Sequence, residues 1–180
     1  MRSEALVCHP DTPSKAVSGI DVSVSSPNSA TLSLAFHLRG DLPHIRVPPR
    51  VIPRRADGLW RHTCFEVFIA KGGSPAYLEF NFAPSGEWAA YTFRGYRDGA
   101  AFEHDFDPRI AVNIGRDALQ LDAFVPLEVF SIVPGEQLRL ALSVVIEEDA
   151  GALTYWALQH PPGRPDFHHR DAFALLLTPA

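Results

Sequence analysis

The 180-residue sequence predicts an all-β protein, an antiparallel β-sandwich of about ten or eleven strands. Many short runs alternate apolar with polar residues, which is the side-chain period of a strand with one buried face. Turn formers separate these runs, and the chain contains 16 Pro and 12 Gly. An amphipathic helical period over three turns occurs nowhere. These observations favour one sandwich domain over residues 1–180.

The N-terminal part of the chain predicts three strands, at residues 4–9, 20–25 and 31–39. The third has one wholly apolar face, formed by Leu32, Leu34, Phe36 and Leu38. Residues 40–58 follow as a long irregular connection, because its prolines lack the amide donor that a central strand needs. Long irregular segments in compact domains are often binding loops.

The stretch 59–94 is expected to carry the functional face of a sheet. Glu66 lies on the polar side of its strand-like run, and Glu79 and Asn81 lie on the polar side of the next run. The turn at 83–86 predicts a hairpin in which Phe82 pairs with Glu87. In that register Asn81 faces Trp88, so the four side chains Glu66, Glu79, Asn81 and Trp88 share one face. Such a face is either a solvated surface or a site for a polar, flat ligand.

The C-terminal part of the chain predicts further short elements joined by turns. They are a short strand at 102–106, a hairpin from 109–114 and 118–125, a helical turn at 126–130, strands at 137–147 and 153–159, a loop at 160–171 and a closing strand at 172–178.

Composition limits the classes of function. The net charge of −5 argues against a nucleic-acid partner. The chain has 2 Cys and no Cys-x-x-Cys, which argues against a cysteine-type zinc site. It has no apolar run of membrane-spanning length and no secretory pattern at its start, so we expect no membrane partner and a cytoplasmic location.

Three groups of residues could carry chemistry, and each has a structural alternative. Trp60, Trp88 and Trp156 could stack on sugar rings or fill the core. The histidines could bind a metal or haem, or could simply bond to loop backbone; they are His62, His160, His168 and His169. The pair Glu66 and Glu79 could hydrolyse a glycoside or could pair with arginines.

Family resemblance is carried by three stretches. LWRHTCFEVFIA at 59–70, YLEFNFAPSGEWAAYTF at 77–93 and the later YWALQHPPGRPDFHHRDAF at 155–173 resemble the bacterial DOMON-like domains, which are related to carbohydrate-binding module family 9. The resemblance implies a β-sandwich that binds a ligand and is not an enzyme. Relatives bind sugars, or haem in redox branches, and Leu59-Trp60 and Glu66 match positions of the sugar-binding pattern.

The resemblance also bears on cofactors. The haem-binding relatives use a Met and a His as axial ligands, and the only Met here is Met1, so a haem would need two loop histidines. Sugar-binding relatives hold calcium through clustered acidic residues, for which the candidates are 147–149, Asp105 and Asp107. We therefore expect no cofactor, with haem or calcium as the alternatives.

The sequence thus predicts a non-catalytic module that binds a saccharide or a related polar small molecule. The alternatives are a haem or metal module and, third, an enzyme using the Glu pair. The predicted ligand-binding residues are Trp60, Arg61, Glu66, Glu79, Asn81, Trp88, Trp156, His160, His168, His169, Arg170 and Asp171.

Overall fold

The computed structural model describes residues 1–28, 30–103, 107–127, 131–133 and 135–179, and this part of the chain is all-β. Its twelve strands are β1 (Arg2–Cys8), β2 (Val17–Asn28), β3 (Thr31–Gly40), β4 (Cys64–Lys71), β5 (Tyr77–Phe82), β6 (Trp88–Gly95), β7 (Asp98–Ala101), β8 (Arg109–Ile114), β9 (Ala118–Pro126), β10 (Leu138–Glu147), β11 (Leu153–Ala157) and β12 (Leu175–Leu177). Short 3-10 turns span Leu42–His44, Leu59–Arg61, Asp149–Gly151 and Arg170–Ala172. Within the described ranges, no helix has the length and apolar character of a membrane span.

The strands form two layers joined through β1. One layer has the order β1-β2-β3-β9-β8, and the other has the order β7-β6-β5-β4-β10-β11 with β12 beside β10. Residues 2–6 of β1 pair with β2, whereas Val7 and Cys8 pair with β11. The pairings between the strands are antiparallel. The predicted sandwich is therefore confirmed.

The core lies between the two layers, as the alternation predicts. The apolar face of β3 is fully buried. On β4 the residues Phe65, Val67 and Ile69 point into the same core. Phe36 of β3 and Phe65 meet edge to face across the sandwich, with ring centroids 5.3 Å apart. The opposite parity of β4 and β5 therefore faces away from the core, and we call this side the outer face.

Most predicted strands are present with shifted ends, and three C-terminal predictions differ. The closing strand is shorter than 172–178, because residues 170–172 form a 3-10 turn and β12 begins at Leu175. The strand predicted at 102–106 is replaced by β7, which ends at Ala101, and residues 104–106 lie outside the described residues. The helical turn predicted at 126–130 includes 128–130, which also lie outside them.

The predicted register of the β5–β6 hairpin is wrong by one residue. Phe82 pairs with Trp88, not with Glu87. The Ala83 amide donates to the Glu87 carbonyl at 2.9 Å, and Gly86 has a φ of 96°, so the connection is one residue longer than a four-residue turn. A slip of one residue moves a side chain to the other side of a sheet. Trp88 therefore lies in the core and is 5% exposed.

Trp156 is a second correction, because it also belongs to the core. It pairs with Val144, whose side chain is buried between the layers, and it is 6% exposed. Its indole Nε1 donates to Thr154 Oγ1 at 3.2 Å. Two of the three predicted tryptophans thus lie away from the outer face, and Trp60 alone among them is exposed.

The hairpin geometry makes a testable prediction about Gly86. Gly86→Ala should lower the free energy of unfolding by about 1 kcal/mol or more, because a side chain is strained at this positive φ. The space itself is not limiting, since an added Cβ would meet only ordinary contacts, the nearest at 3.6 Å. Urea unfolding measures the change. Gly95→Ala is the matched control, because Gly95 does not have a positive φ and its Cβ would meet nothing within 4 Å. Equal effects of the two variants would contradict the assigned conformation.

Candidate functional site

The outer face of the β4 layer is covered by the C-terminal loop. Phe167 and Phe173 from this loop pack with Phe68 and Tyr77 of the sheet in a second apolar cluster, separate from the core. The loop thus turns a sheet face that would otherwise meet solvent into a partly buried layer. The predicted site residues on β4 and β5 lie beneath and beside this cover.

Three polar side chains stand side by side across this face, and we call them the polar row. Ser143 of β10 pairs with Glu66 of β4, and Glu66 pairs with Asn81 of β5. The row continues into Ala157 beside Ser143 and Ala89 beside Asn81, and both alanines are also buried. All three polar residues are buried. The predicted grouping of Glu66 with Asn81 is therefore observed, with Ser143 as a member that the sequence did not indicate.

The polar row carries buried polar atoms without partners. Glu66 Oε1, Asn81 Oδ1 and Ser143 Oγ are buried and make no hydrogen bond within the described part of the chain. A buried polar atom left in this condition costs about 1–3 kcal/mol. Groups that carry O–H or N–H donors would remove that cost, so the row is suited to a hydroxylated ligand or to a bound water.

Glu79 lies one row further along the outer face. Asn81 Nδ2 donates to Glu79 Oε1 at 2.8 Å, which orients the amide and leaves Asn81 Oδ1 buried without a partner. Burial raises the pKa of Glu79 to about 7, against the Asn81 hydrogen bond and the Arg97 charge, which lower it. Burial and the Glu79 charge also raise the pKa of Glu66 well above its usual range, against the neighbouring Ser143 hydroxyl, which lowers it. The two carboxyls therefore retain protons that exposed carboxyls lose.

His168 joins the covering loop to this pair. Its Nδ1 lies 2.9 Å from the Tyr77 hydroxyl, and its Nε2 lies 3.7 Å from Glu79 Oε2. The Tyr77 oxygen accepts from the Arg97 amide at 3.2 Å, which leaves the hydroxyl proton to donate to Nδ1. Burial and the Arg97 charge lower the pKa of His168 to about 4. The imidazole is thus neutral at pH 7, with its Nε2–H facing Glu79.

Trp60 and Arg61 lie on the turn that precedes β4. The segment before it pairs with the start of β6, and Asp57 Oδ1 accepts from the Tyr91 hydroxyl of the outer face at 3.0 Å. The chain turns at Gly58, which has a φ of 75°, and residues 59–61 then lie against β4 and β5. The Trp60 side chain is exposed, with the Arg61 guanidinium carbon 5.1 Å from its ring centre. The turn therefore presents an aromatic surface at the polar-row end of the outer face.

The predicted histidines are not gathered into one site. His62 Nδ1 lies 2.7 Å from Glu147 Oε2, and His160 Nε2 lies 2.8 Å from the Val7 carbonyl. His169 Nδ1 accepts from the Asp171 amide at 3.2 Å, which caps the short turn at 170–172. Across the described ranges, no group of three or more His, Cys, Asp or Glu side chains is placed to hold a metal.

The acidic residues proposed for calcium also have separate partners. Glu147 pairs with Arg46 at 2.5 Å and with His62. Glu148 accepts from Ser14 and from the Lys15 amide, and Asp149 lies 2.7 Å from His44 Nδ1. Asp105 lies outside the described residues. The described carboxylates of the 147–149 group therefore diverge.

A cleft of about 600 Å³ opens at the other end of the outer face. Its aromatic lining comes from Tyr77, Tyr96 and Phe173, and its cationic lining comes from Arg139 and Arg170, with His168 and His169 beside them. Sequence reasoning singled out the two histidines and Arg170 but missed Tyr77, Tyr96, Arg139 and Phe173. These four lie far apart in the chain, so no local pattern marks them.

Comparison with known proteins establishes the fold. The chain is similar to a Bacteroides uniformis protein to which carbohydrate binding has been ascribed, with a TM-score of 0.64 at 14% identity, covering 95% of this chain and 83% of that one. It is also similar to a family 9 carbohydrate-binding module from Caldicellulosiruptor kristjanssonii in complex with cellotriose, with a TM-score of 0.58 at 9% identity, covering 90% and 74% of the two chains. No family model matches the sequence, and no curated protein matches it.

The raised pKa of Glu79 predicts a pH-dependent contribution to stability. Its pKa is about 7 in the folded protein against an ordinary 4.5, so the folded state binds more protons between these values. The contribution is full below pH 4.5 and is lost as the pH rises through 7. The stability of the wild type relative to Glu79→Gln should therefore fall by up to about 1.4 kcal/mol per pH unit in this window. Urea unfolding from pH 4.5 to 8 measures the difference.

The control for this series is Glu103→Gln, because Glu103 is exposed. The stability of the wild type is compared with that of Glu79→Gln at each pH because the His168 contribution to stability changes with pH in the opposite direction. Its lowered pKa gives stability that is present above pH 6.5 and is lost as the pH falls through about 4. A wild-type-minus-variant difference that does not change with pH would contradict a protonated Glu79.

Proposed function

We propose that this protein is a non-catalytic saccharide-binding module of the DOMON-like group that it resembles. The observation that carries the proposal is the polar row, whose buried acceptors Glu66 Oε1 and Asn81 Oδ1 lack partners among the described residues. An exposed aromatic side chain, Trp60, lies on the turn at the same end of the outer face. Saccharide binding uses this combination of acceptors and an aromatic surface.

The chemistry of a sugar matches both parts. Its hydroxyl groups donate hydrogen bonds, and Glu66 Oε1 and Asn81 Oδ1 accept them. Its C–H face packs on an aromatic ring, and Trp60 offers a ring with Arg61 already stacked beside it. Buried acceptors discriminate strongly for a ligand with donors, because a ligand without them leaves these atoms unpaired. Selectivity would therefore come from the row and much of the contact area from Trp60.

The ligands of similar folds add support. One of the two solved structures was obtained with cellotriose bound, so a sandwich of this topology can hold a glucan chain. Of the predicted residues, Trp60, Arg61, Glu66, Glu79 and Asn81 belong to the proposed site. His168, His169 and Arg170 line the cleft, and Trp88 and Trp156 lie in the core.

The Glu66–Glu79 pair supports binding in preference to hydrolysis. Both carboxyls are buried, and Glu79 is bonded to Asn81 and faces His168. Hydrolysis needs one carboxylate to reach the anomeric carbon or an attacking water and the other to reach the leaving oxygen. Glu66 and Glu79 lie on adjacent strands in successive rows of the sheet, where they form part of the polar floor of the proposed site.

The proposal is tested by calorimetric titration of a panel of oligosaccharides, including cellotriose and glucose. We expect at least one saccharide to bind with a Kd of about 1 mM or tighter. Trp60→Ala should weaken that binding about tenfold or more, because the stacked ring is lost. Tyr96→Ala is the matched control, since Tyr96 is also an exposed aromatic residue but lies at the cleft.

A second variant tests the polar row itself. Glu66→Leu removes both carboxyl oxygens and keeps a similar volume, so sugar affinity should fall while the fold is retained. Circular dichroism and the unfolding midpoint check the fold. If no saccharide in the panel binds at millimolar concentration, or if neither Trp60→Ala nor Glu66→Leu changes the affinity, the assigned site is wrong.

A further inference from the structure

The cleft at the far end of the outer face is a second, separate candidate for binding. Its volume of about 600 Å³ is that of a small-molecule site. Its floor is a row in which Arg139 pairs with Ala70 and Ala70 pairs with Tyr77. Ala70 is four residues along β4 from Glu66, which corresponds to about 13 Å. The cleft is therefore distinct from the saccharide site proposed above.

The walls supply flat apolar surface. Tyr77 stacks in parallel on Phe93, with ring centroids 4.6 Å apart, and meets Phe173 edge to face at 5.4 Å. These contacts fix the orientation of the Tyr77 ring. Tyr96 is held by its hydroxyl, which donates to Asp166 Oδ2 at 2.6 Å, while most of its ring is exposed. The aromatic lining is thus oriented by contacts that do not involve a ligand.

The charge of the lining has one sign. Arg139 and Arg170 both line the cleft, and no Asp or Glu is among its described lining residues. Within the described ranges neither guanidinium forms an ion pair. Arg139 Nη2 donates to the Phe173 carbonyl at 3.3 Å, which positions its remaining N–H groups. A cationic cleft in a chain of net charge −5 attracts an anion.

We propose that this cleft binds a small organic carboxylate with a flat apolar body. A guanidinium recognises a carboxylate through paired N–H donors, and Arg139 and Arg170 supply them. The rings of Tyr77, Tyr96 and Phe173 would cover the body. Inorganic phosphate would leave this aromatic lining unused. A neutral saccharide would leave the two guanidiniums without an opposite charge.

The test uses benzoate, phenylacetate and indole-3-acetate as probes, with phenylacetamide and inorganic phosphate as comparisons. Binding is followed by chemical-shift changes in the protein's NMR spectrum. We expect at least one carboxylate to bind with a Kd of about 1 mM or tighter. Its shifts should map to Tyr77, Tyr96 and Phe173 and leave the Trp60 indole resonance unmoved. The neutral amide should bind at least about tenfold more weakly.

Variants assign the interaction to the cleft. Arg170→Gln should raise the Kd for the best carboxylate about tenfold, because an exposed arginine without an ion pair is removed and the fold is unaffected. Arg116→Gln is the matched control: it removes the same charge from an exposed arginine on the β8–β9 turn of the other layer. Tyr96→Ala should weaken the carboxylate and leave saccharide affinity unchanged.

Several results would overturn the proposal. One is that none of the three carboxylates binds at 10-fold the expected Kd of about 1 mM. Another is that phenylacetamide or inorganic phosphate binds as tightly as the best carboxylate. The last is that Arg170→Gln binds this carboxylate as tightly as the Arg116→Gln control does. None of these depends on whether a sugar binds near Trp60, so the two proposals succeed or fail separately.

Discussion

The burial of Glu66, Glu79 and Asn81 beneath the C-terminal loop is the constraint on which the outer face depends. The period of two in β4 and β5 sends the apolar residues to the core, so these polar side chains must point the other way. Once covered, they need partners. For Glu79 the partner comes from the loop: His168, as a neutral imidazole, lies between Tyr77 and Glu79. For Glu66 Oε1 and Asn81 Oδ1, no described side chain supplies a hydrogen bond, and both atoms remain unpartnered.

The aromatic residues are divided between structure and surface by strand register. A tryptophan in a strand fills whichever side its parity selects, and Trp88 and Trp156 both fall on the core side. Trp60 escapes this rule because it lies on a 3-10 turn, where no sheet alternation applies. The turn is held through Asp57 to Tyr91 and through contact with β4 and β5. Its exposed ring therefore has a defined place above the sheet end.

The sequence predicts those features that depend on neighbouring residues. The alternation in β3, β4 and β5 is local, so their buried faces and the grouping of Glu66 with Asn81 are predicted. The β5–β6 register depends on Gly86 adopting a positive φ. The resulting five-residue connection shifts the pairing by one residue and places Trp88 on the core side of the sheet instead of the outer face. The cleft lies beyond this kind of reasoning. Tyr77, Arg139 and Phe173 meet only after three strands pair and the loop folds back.

The two ends of the outer face can have different ligand chemistry because the row between them carries little charge. Phe68 and His168 occupy this middle, with ring centroids 5.1 Å apart, and Glu79 lies beside Phe68. A protonated His168 beside an ionised Glu79 would place two charges there, but burial opposes both ionisations. Below pH 7 this middle region is largely uncharged, and it separates the polar atoms of Glu66 and Asn81 at one end from the guanidiniums of Arg139 and Arg170 at the other. A donor-rich ligand and an anionic ligand would each therefore meet the local chemistry that suits it.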